Sequence, residues 1–329
     1  MIAFIILFGI GLIGNVVLTY AQNTEDYFSY LPFIRDDDGD VSISTPTPAP
    51  TATPEVSATA TPSGFDSTYL GSYTIRDTGF GTEVNVTVNA GANTRTIESN
   101  ALPNHETGEF PNPGNPNTIS AQDRTWSFPA EPTFTGSATN ARTPGVSING
   151  VKFEPNTAER ATCDGGEVHS IEAIQDVTDL GLDFNNAHVQ PTGEYHYHGV
   201  SELMVEAFAS DQDLVHIGFA ADGHLMVYSK SGAYQGSYRI GSGAREGTNC
   251  SYTAGGPNGT TVQFGSVKDG SLMSDWEYDP SYGDLDECNG TTLNGQYVYL
   301  ITTDYPYISR CLMGTFSEGG PGGSGPPNR

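Results

Sequence analysis

The chain has 329 residues, with 13 basic side chains against 39 acidic ones and a net charge of −26. Such a surface repels phosphate backbones and anionic bilayers, which argues against a nucleic-acid partner. Forty Gly and 21 Pro, with frequent Tyr and Phe, favour short strands and turns over long helices. The expected class is mainly β: an antiparallel sheet sandwich or irregular barrel with one short helix, stapled by disulfides.

Met1 to Leu18 is almost wholly apolar and is followed by Thr19-Tyr20-Ala21, small residues of the kind a signal peptidase accepts. Residues 1–21 therefore read as a cleaved leader. The absence of Lys or Arg from its start leaves an uncleaved anchor as the alternative. Export to a secreted or cell-surface location, extracellular or periplasmic, follows. No later stretch is apolar for long enough to span a bilayer, so no membrane span is expected after cleavage.

Residues 22–43 form an acidic segment. Its Asp36-Asp37-Asp38-Gly39-Asp40 run lacks the acidic residue an EF-hand needs at Ile34 and the closing Glu, and reads as a solvated linker. Residues 44–64 are nearly all Thr, Pro, Ala, Ser and Val, a composition that buries no core and suits an extended stalk. A β domain is expected over 65–318, and a disordered Gly/Pro tail over 319–329.

Within the domain, alternation predicts strands at Glu83–Val88 and Gln296–Ile301. Asn149-Gly150 predicts a type I′ hairpin turn between Ser147 and Phe153, and Asp222-Gly223 another turn between Ile217 and Tyr228. Ser201 is a good N-cap for a short helix over 201–209. Cys163, Cys250, Cys288 and Cys311 are an even set without Cys-x-x-Cys spacing, which in an exported chain reads as two disulfides. Of three possible pairings, Cys288 with Cys311 and Cys163 with Cys250 is expected, because the former pair brackets the Gln296 strand and its hairpin.

The most informative stretch is Tyr195-His196-Tyr197-His198. Period-two alternation puts both imidazoles on one strand face and both phenols on the other. His188 precedes it across Gln190-Pro191-Thr192-Gly193, a turn sequence that would fold the third imidazole back onto the other two. Three neutral imidazoles on rigid backbone suit a divalent transition metal, copper or zinc, with water, a carboxylate or another histidine completing the sphere. The competing reading is a run of strand aromatics that packs a sheet.

The Tyr-His-Tyr-His-Gly block, preceded by Asn185-Asn186-Ala187-His188-Val189-Gln190-Pro191-Thr192-Gly193, resembles the signature of the YHYH-domain family. Further pieces agree in order: Gly218 to Gly223, Ser237-Tyr238-Arg239, Asp275 to Tyr278, Gly283 to Gly290 and Tyr305 to Cys311. Upstream, Ser99 to His105 with Asn115-Pro116-Asn117 is similar too, so the likeness runs from about Ser99 to Cys311. It implies an exported protein and supplies no mechanism. His105, in that family-like segment beside Pro103 and Glu106, becomes the next candidate ligand, against a surface-loop reading. His224 stands where relatives carry an aromatic residue, and His169 and His216 have no partner at ligand spacing. Asp284, Asp286 and Glu287 could orient ligands from behind or simply cap a turn, and Asp222 at a hairpin tip has the same two readings.

Zincin, nucleophile-elbow and P-loop signatures are absent. The leading expectation is an exported β domain that binds one metal ion through His188, His196 and His198. One alternative is a metal-dependent extracellular hydrolase or oxidoreductase on the same ligands. The other is an adhesion or matrix module without metal, with cell-surface or matrix components as partners.

Overall fold

The computed structural model describes residues 68–209, 211–254 and 259–317. The expected leader (1–21), acidic segment (22–43), stalk (44–64) and tail (319–329) lie outside the described residues.

The Glu83–Val88 alternation forms the middle of strand Thr82–Asn89, whose buried face carries Val84 and Val86. It pairs with Tyr73–Asp77 on one side and Thr94–Ser99 on the other, and Arg124–Phe128 completes a four-stranded antiparallel sheet.

The largest sheet has eight strands. In spatial order they are Ala187–Val189, Tyr195–Tyr197, Lys152–Phe153, Gly145–Ser147, Leu214–Ala220, Leu225–Ser229, Gln296–Ile301 and Gly290–Leu293. Its inner strands carry much of the core, with Tyr195, Tyr197, Tyr299, Phe153 and Phe219 all fully buried. The sheet is mixed rather than purely antiparallel. Tyr195–Tyr197 runs parallel to Lys152–Phe153, and Leu225–Ser229 parallel to Gln296–Ile301. Parallel neighbours need a long crossover. Here the first crossover contains Arg160–Thr162 and Val168–Ser170, which join Cys250–Thr253 and Thr261–Phe264 in a separate four-stranded sheet. Two further two-stranded pairs, Tyr238–Ile240 with Trp276–Tyr278 and Cys311–Gly314 with Phe134–Asn140, complete the set, and among the described residues no sheet closes into a barrel.

The expected hairpins and helix form. Strands Gly145–Ser147 and Lys152–Phe153 pair antiparallel, but the turn is not type I′, because only Gly150 has a positive φ (78°). Asn149 keeps an ordinary φ while its buried amide donates to Tyr197 Oη at 3.0 Å and to Asn104 at 3.0 Å. A type I turn closed by a left-handed glycine results. Helix Glu202–Phe208 is capped by Ser201, whose hydroxyl accepts from the Met204 amide at 3.1 Å. The disulfides are Cys163–Cys250 and Cys288–Cys311, the expected pairing.

Candidate metal centre

The turn at Gln190–Gly193 sets the register of the site. Gly193 at φ 86° donates its amide to Gln190 O at 2.8 Å, and Gln190 donates to Glu194 O at 2.9 Å. The register that follows places His188 directly opposite His196. Two residues further on, on the same face, His198 is tied down by its amide bond to Asn186 O at 2.7 Å.

The three rings meet at their Nε2 atoms. His198 Nε2 lies 3.0 Å from that of His188 and 3.0 Å from that of His196. All three ring centroids are 4.7 Å apart, so the imidazoles form a near-symmetric cap rather than a stack. His196 and His198 are buried and His188 is half-buried.

Backbone carbonyls choose the tautomers. His188 Nδ1 is 2.9 Å from Leu180 O and His196 Nδ1 is 3.3 Å from Glu194 O. A carbonyl only accepts, so each Nδ1 carries the proton and each Nε2 presents a lone pair. His198 Nδ1 is buried without a hydrogen-bond partner. At most one proton, that of His198, therefore sits among the three Nε2 atoms of neutral rings. Burial, reinforced by the other imidazoles and by Lys152, pushes the pKa of His196 well below the ordinary histidine range. Burial, then His188, Lys152 and Arg310, does the same to His198. The inward lone pairs and outward, carbonyl-held N–H groups of His188 and His196 are the arrangement found around bound transition metals.

Beside the imidazoles runs a row of charged side chains that sequence reasoning did not find. The parallel pairing sets Lys152 next to His196. Lys152 Nζ contacts Glu154 Oε2 at 2.6 Å and Glu194 Oε2 at 3.6 Å, and Glu194 is held by Arg124 at 2.9 and 2.6 Å. Gln190 donates to Glu154 Oε2 at 2.7 Å, and that oxygen lies 4.0 Å from His196 Nε2. The alternation Lys152-Phe153-Glu154 was visible in the sequence, but nothing local marked which strand it would adjoin.

The opposite face holds the phenols. Tyr195 Oη donates to Asp183 at 2.8 Å. Tyr197 Oη is 2.6 Å from His105 Nε2, whose Nδ1 is 2.9 Å from Glu106 O. By the same tautomer argument His105 accepts from Tyr197. The structure thus brings His188, His196 and His198 together and places His105 across the strand from them, with both ring nitrogens occupied.

The other candidates have local partners. Asp286 accepts the amides of Cys288 and Gly290 and the Tyr297 hydroxyl, which makes it a turn cap, and Asp284 accepts the Gln235 amide. Asp222, fully buried, accepts from Tyr299 Oη at 2.6 Å and the Gly314 amide at 2.9 Å. His224 Nδ1 lies 3.1 Å from Asp222 Oδ2 but off the line a hydrogen bond requires. His216 Nε2 donates to Gly218 O at 2.9 Å. A second cluster, Cys163, His169 and Cys250, has ligand spacing, but its two sulfurs are spent in a disulfide. His169 is bonded to Glu246 O and Ser274.

In comparison with known proteins, the profile of the YHYH protein family matches residues 125–314. That span includes the imidazole hairpin, Lys152, Glu154 and all four cysteines, and begins after the His105 segment. No curated protein and no solved structure matches the chain.

Proposed function

Because the chain belongs to the YHYH protein family, and its Tyr195–His198 block sits in a cap of three imidazoles, we propose that it is a metal-binding β domain that holds one divalent transition ion, copper or zinc, through His188, His196 and His198. The observation that carries this reading is the convergence of the three Nε2 atoms, with two of the Nδ1 protons held outward by carbonyls. His188 and His196 both aim lone pairs at the same point, and two facing acceptors repel unless a shared proton or a cation lies between them.

The spacing also bears on the ligand field. Ligands on bonds of about 2.05 Å sit about 3.3 Å apart around a tetrahedron and about 2.9 Å apart at right angles. The 3.0 Å separations resemble the latter. His198 would thus stand at nearly a right angle to each of the other two imidazoles, which leaves room for further donors. Imidazole suits both copper and zinc, and copper(II) takes right-angled fields more readily.

Export fits the two disulfides, which persist in oxidising compartments, and the apolar start of the chain. Among the described residues no helix is long and apolar enough to cross a membrane.

Metal analysis of protein purified without a histidine tag tests the proposal. About one equivalent of copper or zinc is expected, and His196→Ala should abolish it. A wild-type chain that takes up neither ion, or a variant that keeps full occupancy, overturns the reading.

A further inference from the structure

Three neutral imidazoles supply lone pairs but no charge, and His196 and His198 are each only 2% exposed. A divalent ion held there needs a nearby anion to offset the loss of water. Two buried carboxylates stand on the same face of the sheet. Glu194 is committed, since Arg124 grips both of its oxygens. Glu154 is held through one oxygen only, Oε2, by Lys152 and Gln190. Near its Oε1, Arg142 Nε stands at 3.8 Å on a side chain 59% exposed, and is so weakly coupled.

Resting on the three-imidazole reading, we infer that Glu154 is the fourth protein donor of this centre, and that Lys152 is the cation an ion displaces from it. Glu154 Oε2 already lies 4.0 Å from His196 Nε2. Donors around one ion on bonds of about 2.1 Å are separated by about 3 to 4.2 Å, so that distance falls inside a coordination sphere. To face the other two imidazoles, the carboxylate turns about its terminal torsion, which is soft in glutamate. Lys152 is not orphaned by the exchange, because Glu194 Oε2 stands 3.6 Å from its ammonium.

Charge counting supports the same exchange. Among the buried partners, and leaving aside the exposed Arg142, Lys152 and Arg124 balance Glu154 and Glu194 when no ion is bound. An ion adds two positive charges to that neutral lattice, and the move that answers them is to transfer one carboxylate from ammonium to metal.

The test is calorimetric titration of the full, untagged chain with copper(II) and, separately, zinc(II). Glu154→Gln should keep one ion per chain and bind it about 10- to 100-fold more weakly, the range seen when groups supporting a metal site are removed. Lys152→Met should act in the opposite direction and bind more tightly, because the ion no longer competes with an ammonium. Lys152→Gln replaces it if the Met variant fails to fold. The paramagnetic resonance spectrum of copper(II) should differ between wild type and Glu154→Gln, through loss of a charged oxygen donor. Unchanged affinity and spectrum in Glu154→Gln overturn the inference and leave the imidazole reading standing. Affinity that falls in both variants also overturns it, because the pair would then be a structural ion pair. A wild-type chain that binds neither ion removes both proposals.

Discussion

The two faces of strand Tyr195–Tyr197 do different work, and single residues separate them. Tyr197 Oη is bonded to His105 Nε2 and Asn149 Nδ2 inside the core. Tyr197→Phe should leave His105 Nε2 without a partner and Asn149 Nδ2 with only Asn104, and cost about 1–3 kcal/mol in urea denaturation, while metal stoichiometry stays unchanged. His216 offers a pH test away from the centre. Burial pushes its pKa down to about 3, so between the ordinary value near 6.5 and that lower value the unfolded chain binds a proton the folded chain refuses. Stability from this residue is present above about pH 6.5 and is lost as the pH falls towards 3. Replacing it by Gln keeps a donor for Gly218 O but removes the titration. The stability difference between pH 7 and pH 4.5 should therefore shrink in His216→Gln, and an unaltered difference would rule out the neutral buried state. At this scale the imidazole trio was legible because a period of two and a Pro-Thr-Gly turn fix where three side chains point. The position of His105 across the strand was not legible, because sequence proximity to family-like residues says nothing about which side of a strand a loop will cover.

The hairpin that carries the trio depends on its turn. A Cβ on Gly193 would collide with the Ser120 side chain, and φ is 86° there. Gly193→Ala should cost at least about 1–2 kcal/mol and also weaken metal binding, because a shifted turn moves His188 against His196. Gly232→Ala is the matched control. Its φ is 67° with open space around it, so it should show a strain cost by denaturation and no change in metal affinity. Hairpins such as these were readable because both partners are near in sequence. The parallel neighbour Lys152–Phe153 was not, since its pairing with Tyr195–Tyr197 is decided by a crossover through another sheet. Glu154 and Lys152 were missed for that reason alone. The turn at Asn149-Gly150 was located correctly but assigned the wrong type, because the Asn149 side chain serves the tyrosine network instead of solvent.

Over the whole molecule, the disulfides staple loops of very different length, with separations of 87 residues for Cys163–Cys250 and 23 for Cys288–Cys311. Loop-closure entropy assigns about 4.5 kcal/mol to the longer and about 3.5 kcal/mol to the shorter. Replacing Cys163 and Cys250 by Ser should therefore lower unfolding free energy by about 1 kcal/mol more than replacing Cys288 and Cys311. Denaturant midpoints of the two double variants check the order. The mainly β class and the sulfur pairing were legible from composition and cysteine placement, whereas the division into several sheets was not, because it is set by contacts between distant segments. The short span from His188 to His198 bears on the order in which an ion and the fold are acquired. All three imidazoles belong to one contiguous stretch, so a chain without tertiary structure still carries a multidentate ligand and competes for the same ion. Added metal should consequently raise the melting temperature by less than its affinity for the finished domain would suggest. If the proposed ion binds there, a newly made polypeptide has the means to capture it first and enclose it afterwards.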